Sequence, residues 1–330
     1  MKAIQIDRIG GPDVLAYVDV PTPLPGPGEV LVKAESIGVN YFDTMIRTGR
    51  YSWMPKLPFV LGNEMSGYVA ALGPGVRGLS VGQPVFIAGY EIGNRGRLYA
   101  EYAAVPAQAA FALPAGVGLD EATTLTNYLL AIILLHHAAR GVTPGSVVVY
   151  GAAGAVGTAL IDVARLAGAT VIGTAGSEEK CAFIRAHGAP HAIDYSREDV
   201  VARVLSLTGG RGADLIFDHV AGKAFADGLK MAAPLGMIVS YAVLGGMPDT
   251  DLFKEMRANI ERSPAVRCFT MHTYDHMEEP RREALARAVE LLGSGQVKPA
   301  IAARIPLAEA RRAHELVGSR SAMGKIVLKP

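Results

Sequence analysis

The sequence predicts an α/β protein in which a β-rich domain precedes a doubly wound parallel sheet. Short apolar runs separated by turns rich in glycine and proline dominate residues 1–120. Beyond them, apolar runs of strand length alternate with helical patterns, an order that favours parallel pairing with right-handed crossovers. The length of 330 residues suits two ordinary domains.

The β-rich part contains short candidate strands joined by turns. Strands are predicted near Ile4 and at residues 31–32, 66–72, 83–87 and 100–105. Turn-rich segments such as PTPLPGPG (residues 21–28) and GPGVRG (residues 73–78) separate them. This arrangement predicts a compact, partly barrel-like β domain.

The second part begins near Asp120, which is predicted to be the N-cap of a helix that runs to about Arg140. Strands are predicted at residues 146–150, 170–174, 191–195, 213–220, 236–242 and 266–272. Helices are predicted at residues 153–167, 178–187, 198–208, 223–233 and 251–261. A tail with two helices and a last strand at residues 325–329 is expected to return to the first domain.

Composition excludes several classes of protein. The net charge is +1 without long blocks of one sign, which gives nucleic-acid binding no electrostatic support. Cys181 and Cys268 show no CxxC spacing, which argues against a disulfide framework and a thiolate zinc site. The longest apolar stretch, residues 128–135, is too short to span a bilayer, and the N-terminus lacks the apolar core of a signal peptide. A soluble cytoplasmic protein is therefore expected.

The stretch VVVYGAAGAVG is the most informative in the chain, because a strand runs into a glycine-rich turn that opens a helix. Gly154 allows a pyrophosphate to approach the backbone, and Gly157 allows close packing of helix on strand. The alternative is a plain strand-to-helix turn. We expect the loop to bind a dinucleotide through Gly151, Ala153, Gly154, Ala155, Val156 and Gly157.

The end of the next strand indicates which dinucleotide is bound. An NAD site needs a carboxylate there for the ribose hydroxyls, and the sequence GTAGSEEK has none at that point. Ser177 and Lys180 are suitable donors to a 2′-phosphate, so NADPH is predicted rather than NADH. The alternative for Lys180 is an ordinary solvated lysine on a helix.

The chain resembles the medium-chain dehydrogenase/reductases, and within them the zinc-free NADPH:quinone oxidoreductase branch. The stretches that carry the resemblance are GVNYFDTMIRTGRY, LPFVLGNEMSGYVAALGPGV, NYLLA, GAAGAVG, IDY and SRSAMGKIVL. It implies a GroES-like β-rich catalytic domain (residues 1–122), a Rossmann NADPH-binding domain (123–272) and a C-terminal segment (273–330) that returns to the catalytic domain. It also implies an active site in the cleft between the domains, and a homodimer joined through the last strand of each Rossmann sheet.

The resemblance also concerns zinc. Zinc alcohol dehydrogenases of the superfamily have a Cys where this chain has Asn40 and a His where it has Asn63. Neutral amides do not replace thiolate and imidazole as zinc ligands, so no bound metal is expected. The stretch LGNEMSG then marks the place of a former metal site. Glu64 within it is interpreted as a structural hydrogen-bond or ion-pair residue.

Without a Lewis acid to stabilise an alkoxide, reduction of a quinone or another α,β-unsaturated carbonyl is favoured over alcohol oxidation. Negative charge then develops on oxygen and needs donors, for which Tyr51 and Asn40 are candidates, with Asp43 as their orienting neighbour. The alternative for Tyr51 is an apolar contact or a lid aromatic. Many relatives have a second tyrosine where this chain has Met45. Arg47 is expected either to attract anionic substrates or to be solvated.

The resemblance further implies that Tyr195 lines the adenosine side of the cofactor and that Arg320 reaches the cofactor cleft. Val243 follows a strand at its carboxyl end, where such ligands bind.

Two other functions compete with the quinone or enone reductase. An enoyl-thioester reductase would need a basic cluster for a carrier phosphate, and none is evident. An NADPH-binding sensor or structural protein with little turnover has the same fold.

Overall fold

The computed structural model describes residues 1–93 and 95–330. The chain forms two compact units: residues 1–126 with 289–330, and residues 127–288. The expected bounds put residues 273–288 in the returning segment, whereas here they cluster with the second unit. One reason is that the Tyr274 hydroxyl lies 2.8 Å from Nδ1 of His137, a residue of that unit.

The strands are β1 (Lys2–Ile6), β2 (Ala16–Asp19), β3 (Glu29–Val39), β4 (Phe59–Val60), β5 (Glu64–Leu72), β6 (Pro84–Ala88), β7 (Tyr102–Pro106), β8 (Ala110–Ala112), β9 (Ser146–Val149), β10 (Thr170–Ala175), β11 (His191–Asp194), β12 (Ala213–Asp218), β13 (Ala232–Ser240), β14 (Ala265–Cys268), β15 (Ile301–Pro306) and β16 (Lys325–Lys329). The α-helices are α1 (Tyr41–Arg47), α2 (Leu119–Ala122), α3 (Leu125–Ile133), α4 (Ala155–Leu166), α5 (Glu178–Ala186), α6 (Val200–Leu207), α7 (Gly222–Met231), α8 (Leu252–Ala258), α9 (Glu278–Gly293) and α10 (Ala310–Gly318).

The first unit contains two sheets. A seven-stranded sheet has the order β15-β16-β3-β5-β6-β8, with β7 also paired to β3, and a small antiparallel sheet has the order β2-β1-β4. The C-terminal strand β16 pairs antiparallel with β3, and Leu328 lies opposite Ile37. Apolar side chains of both sheets, such as Ile4 and Val32, share one buried core with Leu61 and with residues of α10.

The second unit is built on six parallel strands in the order β11-β10-β9-β12-β13-β14. Helices join successive strands, and the order reverses between β9 and β12. Ligands of such sheets bind at the carboxyl ends of the strands, at the point of reversal. The predicted fold class is confirmed: a GroES-like β-rich domain and a Rossmann doubly wound parallel sheet.

The helix predicted from Asp120 to about Arg140 is wrong in its start and its continuity. Gly118 is the residue that precedes α2, and Asp120 lies inside that helix. The Asp120 carboxylate accepts instead from Ser36, Arg304 and Lys329, which are distant in sequence. The predicted helix is divided into two helices, α2 and α3, and α3 leads into a π-helical turn, Leu134–Ala138.

Within the described residues, none of the helices has the length and apolar character needed to cross a bilayer.

Candidate active site

The glycine-rich loop lies where β9 ends and α4 begins. Gly154 is the N-cap of α4 and has φ −79° and ψ 171°. The first bond of the helix is donated by Thr158 N–H to the Gly154 carbonyl at 2.9 Å. The N–H groups of Ala155, Val156 and Gly157 therefore precede the intrahelical ladder, at the positive end of the helix dipole, where an anion is favoured.

The three glycines of this loop have different neighbours. A Cβ on Gly157 would lie 2.6 Å from Ala152 Cα, so the backbones of helix and loop pack directly on each other. Gly151 has φ 57°, and a Cβ there would lie 2.4 Å from His219 Cε1. A Cβ on Gly154 would meet nothing closer than the Gly151 carbonyl oxygen at 3.5 Å. The face above Gly154 is thus open, and a dinucleotide diphosphate fits this cradle.

The residues predicted to select the cofactor follow β10 and β11. Ser177 is the N-cap of α5, and its Oγ accepts from Lys180 N–H at 3.3 Å. That bond uses a lone pair of the hydroxyl and leaves its hydrogen able to donate elsewhere. Tyr195 is 58% exposed, and a Cβ on Gly176 would lie 2.7 Å from its hydroxyl. The structure therefore brings Ser177 and Tyr195 to neighbouring strand ends.

The loop after β13 is held against the turn after β12. Leu244 N–H donates to the His219 carbonyl at 3.0 Å, and Gly245 N–H donates to the Val220 carbonyl at 2.7 Å. Val243 is half-exposed at the carboxyl edge of the sheet. Arg320 belongs to the first unit, just after α10, with φ 56°. The predicted cofactor roles of Val243 and Arg320 stay predictions.

In the first unit, Asn40 and Asp43 together form the start of α1. Asn40 N–H donates to Asp43 Oδ2 at 2.9 Å, and Asp43 N–H donates to the Asn40 carbonyl at 3.1 Å. Asp43 thus contacts Asn40 through the Asn40 backbone N–H, and its predicted role as an orienting neighbour stays a prediction. This reciprocal capping fixes the backbone from which the Asn40 side chain projects.

The Asn40 amide belongs to a buried polar network around Glu64, within the stretch LGNEMSG. Asn40 Nδ2 donates to Glu64 Oε1 at 2.8 Å, and Lys325 Nζ donates to Asn40 Oδ1 at 2.7 Å. Lys325 also pairs with Glu64, and Thr126 donates to the other Glu64 oxygen. Burial raises the pKa of Glu64, while Lys325 and Asn40 act in the opposite direction. The structural interpretation of Glu64 as an ion-pair residue agrees with this geometry.

The donor set near LGNEMSG does not suit zinc. Asn63 is buried, and its backbone carbonyl accepts from Gly89 N–H at 2.8 Å. Of the residues that the structure describes, no three His, Cys, Asp or Glu side chains are grouped so that they could hold a metal ion. The polar groups at this point are amides, one carboxylate and an ammonium, and an ammonium repels a cation.

A second buried chain of polar groups leads from α10 to Asp43. Arg47 Nε donates to His314 Nδ1 at 3.2 Å, His314 Nε2 lies 3.4 Å from the Tyr99 hydroxyl, and that hydroxyl donates to Asp43 Oδ2 at 3.1 Å. Burial lowers the pKa of His314 to about 3, so the ring is neutral. Both expectations for Arg47 are wrong. It is 7% exposed and also donates to the Gly10 carbonyl, so it neither meets substrates nor is solvated.

Tyr51 lies in an aromatic group with Phe42 and Trp53. Its ring is 4.7 Å from that of Phe42, edge to face, and 5.6 Å from that of Trp53. Burial raises the pKa of Tyr51, and the charge and hydrogen bond of Arg95 oppose that rise. An arginine only donates, so this bond takes a lone pair of the Tyr51 oxygen and not its hydroxyl hydrogen.

Lys325, His314 and Tyr99 are not among the site residues predicted from the sequence. For two of them, the sequence pattern does indicate a buried polar role. Lys325 opens the apolar run KIVL, and a lysine in a buried strand requires a buried partner. His314 lies on the same helical face as Ala310, Ala313 and Val317, so its ring points to the core. Tyr99 lies in a segment without a clear period and gave no signal.

Comparison with known proteins identifies the family. Residues 26–115 match the alcohol dehydrogenase GroES-like domain, and residues 155–289 match the zinc-binding dehydrogenase family. A quinone oxidoreductase of Pseudomonas aeruginosa is 34% identical over 100% of this chain and 99% of its own length. This chain belongs to the quinone oxidoreductase branch of the medium-chain dehydrogenase/reductase superfamily.

Two further proteins, one known from its sequence and one from its crystal structure, are also similar to this chain. A 2-haloacrylate reductase of a Burkholderia species is 32% identical over 100% of this chain and 99% of its own length. The crystal structure of Escherichia coli quinone oxidoreductase complexed with NADPH aligns with a TM-score of 0.89 at 29% identity, over 100% of both chains. The predicted family and branch are confirmed.

Proposed function

We propose that this protein is a zinc-independent, NADPH-dependent reductase of quinones and other α,β-unsaturated carbonyl compounds. The observation that carries the proposal is the network of Asn40, Glu64 and Lys325. At the place where zinc alcohol dehydrogenases hold their metal, this network offers hydrogen-bond donors and no set of metal ligands. Hydrogen-bond donors of this kind stabilise a substrate oxygen that gains negative charge during the reaction. The names of the two curated relatives support the substrate class.

Different residues of the chain bind the cofactor and stabilise the substrate oxygen. The N–H groups at the start of α4 bind the diphosphate, and Ser177 and Lys180 bind the 2′-phosphate. Bound NADPH supplies a hydride to an electron-poor carbon of the substrate. Asn40 and Tyr51 donate to the substrate oxygen, which gains negative charge, and Asp43 holds the backbone of Asn40.

The experiment that tests this function is an NADPH-oxidation screen over quinones, alkenals, enones and enoyl thioesters. It is run with and without prolonged treatment with a chelator. We expect turnover with quinones and enones, unchanged after chelation, because neutral amides stand in place of zinc ligands. Preference for enoyl thioesters would favour the thioester reductase. Binding of NADPH without turnover would favour a sensor or structural protein, and loss of activity with stoichiometric zinc would refute zinc independence.

Alanine at Gly154 and alanine at Gly157 are expected to have different effects. Gly154→Ala should fold normally, because its φ of −79° suits any residue, yet its methyl group enters the open face above the loop. NADPH affinity should fall by about tenfold or more, where one decade is about 1.4 kcal/mol. Gly157→Ala should lower the free energy of unfolding by roughly 1–3 kcal/mol, because its methyl meets the Ala152 backbone. Fluorescence titration and denaturant unfolding measure the two effects; wild-type affinity in Gly154→Ala would contradict the assignment of the cradle.

The choice of NADPH is tested at Lys180. Lys180→Ala should remove a charge-assisted hydrogen bond to the 2′-phosphate worth roughly 1.5–3 kcal/mol. NADPH affinity should then fall by about tenfold or more, and NADH affinity should barely change. Lys254→Ala is a matched control, because Lys254 also lies in the first turns of a helix, α8, of the same unit. Equal losses for NADPH and NADH would show that Lys180 acts on the fold.

The oligomeric state and the cellular location of the protein can also be tested. We expect a homodimer joined through β14, which is an edge strand of the parallel sheet and exposes Arg267 and Cys268. Light scattering of the purified protein gives the mass that decides between monomer and dimer. We expect the protein in the cytoplasm, and cell fractionation tests that expectation.

A further inference from the structure

Lys325 is an almost completely buried lysine at the start of β16. Its side chain is 1% exposed, and that of its partner Glu64 is fully buried. Bringing two charges out of water is costly, and well-packed apolar residues often stabilise a fold as well as a buried ion pair does. The third member of the network, Asn40, is only half-buried. The buried ion pair of Lys325 and Glu64 therefore hydrogen-bonds a side chain, that of Asn40, which reaches the surface of the unit.

The two charges fix the orientation of the Asn40 amide. An ammonium only donates, so Oδ1 must face Lys325, and a carboxylate accepts, so Nδ2 must face Glu64. Turning the amide by half a turn would put its N–H groups against the ammonium and its oxygen against the carboxylate. Both contacts would be repulsive. An asparagine whose amide oxygen and nitrogen are easily interchanged is thus held in one orientation.

This orientation determines what Asn40 presents outward. Its Nδ2 carries two hydrogens, and one of them goes to Glu64. Among the residues that the structure describes, no second acceptor is bonded to this nitrogen. The backbone of Asn40 is fixed independently by Asp43 at the start of α1. The remaining N–H is therefore a donor whose position is set before a ligand arrives.

We propose that Lys325 and Glu64 are positioning residues, which hold Asn40 with one Nδ2 hydrogen directed to the carbonyl oxygen of the substrate. This inference rests on the proposed function, and it assigns to the pair a part in transition-state stabilisation. A donor held in place before reaction stabilises developing charge without the cost of reorganisation. The competing explanation is that the ion pair only supports the fold between β5 and β16.

A double-mutant cycle on kcat separates these two explanations. Lys325→Met should lower kcat for an enone by about tenfold or more, because loss of one oxyanion donor typically costs about 10²–10³-fold and a misaligned donor costs part of that. In the Asn40→Ala background, the same substitution should change kcat by less than about twofold, since it acts through Asn40. Equal factors in both backgrounds would overturn the proposal.

A binding measurement and a second variant control for effects of Lys325→Met on cofactor binding and on folding. NADPH affinity of Lys325→Met should match that of the wild type, because the loop and the 2′-phosphate residues are unchanged. If Lys325→Met does not fold, Glu64→Gln takes its place in the cycle, because it keeps the side-chain volume and removes one charge. If neither variant folds, the pair is structural and the positioning role is refuted.

A readout without turnover distinguishes failure of this inference from failure of the proposed function. The infrared carbonyl stretch of cyclohex-2-enone is recorded in its complex with the protein and NADP⁺. Its shift to lower wavenumber should be reduced in Asn40→Ala, where the Tyr51 hydroxyl still donates, and should also be reduced in Lys325→Met. A shift that Lys325→Met leaves unchanged would overturn the positioning role. Absence of wild-type turnover together with the expected shifts would refute the proposed function alone.

Discussion

Relative to wild type, the Asp43→Asn variant is expected to become progressively more stable as the pH rises from about 4 to about 8. The pKa of Asp43 is raised from 3.8 to about 7, chiefly because its carboxyl group is completely buried, and the charge of Glu64 acts in the same direction. Each pKa unit corresponds to about 1.4 kcal/mol, so the full difference is at most about 4 kcal/mol.

The sign follows from proton binding. Between pH 4 and pH 7 the native state keeps a proton on Asp43 that the unfolded state has lost, so native stability falls as the pH rises. This contribution is fully present below the unfolded pKa of about 3.8 and is lost as the pH passes the folded pKa of about 7. Asparagine at position 43 does not titrate, and its amide oxygen can still accept from Asn40 N–H.

Urea unfolding of both proteins at several pH values measures the difference. Asp120→Asn is the control with the opposite sign. Burial raises the pKa of Asp120, but bonds from Ser36, Lys329 and Arg304 outweigh burial and bring it below the ordinary value. The stability of the wild type relative to Asp120→Asn should therefore increase as the pH rises. Parallel profiles for wild type and Asp43→Asn would show that Asp43 is ionised in the native state throughout.

The parallel sheet could be predicted from the sequence because its signals are local. Strands β9 (SVVV) and β10 (TVIGTA) are short runs rich in apolar residues, and the glycine spacing of the phosphate loop is a short-range pattern. The structure gave the predicted strand Lys325–Lys329 and placed Glu178 and Glu179 in the first turn of α5, as the pattern indicated. Local chemistry also explains Ser177, whose side chain caps that helix.

The polar networks of the first unit could not be predicted in the same way. Asn40 meets Lys325 across 285 positions of sequence, and Arg47 meets His314 across 267. Such partners depend on β16 and α10 packing beside β3 and α1, which no local pattern specifies. Asp120 shows the same limit: its residue type is that of an N-cap, but long-range donors determine its role.

Tyr51→Phe is expected to reduce kcat with enones by about 10²–10⁴-fold, the usual contribution of general acid catalysis. The Tyr51 hydroxyl is kept protonated, because burial raises its pKa and only Arg95 opposes that rise. Its ring is held by Phe42 and Trp53, so removal of the hydroxyl oxygen should not displace the ring. NADPH affinity should remain at the wild-type value, because Tyr51 lies outside the unit that contains the glycine-rich loop.

Quinones should be affected much less, with a loss nearer to tenfold. A reduced quinone can take its protons from solvent after hydride transfer, whereas an enone needs a proton where charge develops in the reaction itself. The measurement is kcat for one quinone and one enone on wild type and Tyr51→Phe, with NADPH affinity measured separately. Tyr68→Phe is a matched control, since Tyr68 is 44% exposed on β5 and its loss should change neither rate. Unchanged kcat on both substrates would reduce Tyr51 to a packing residue, and Asn40 would then be the donor that remains.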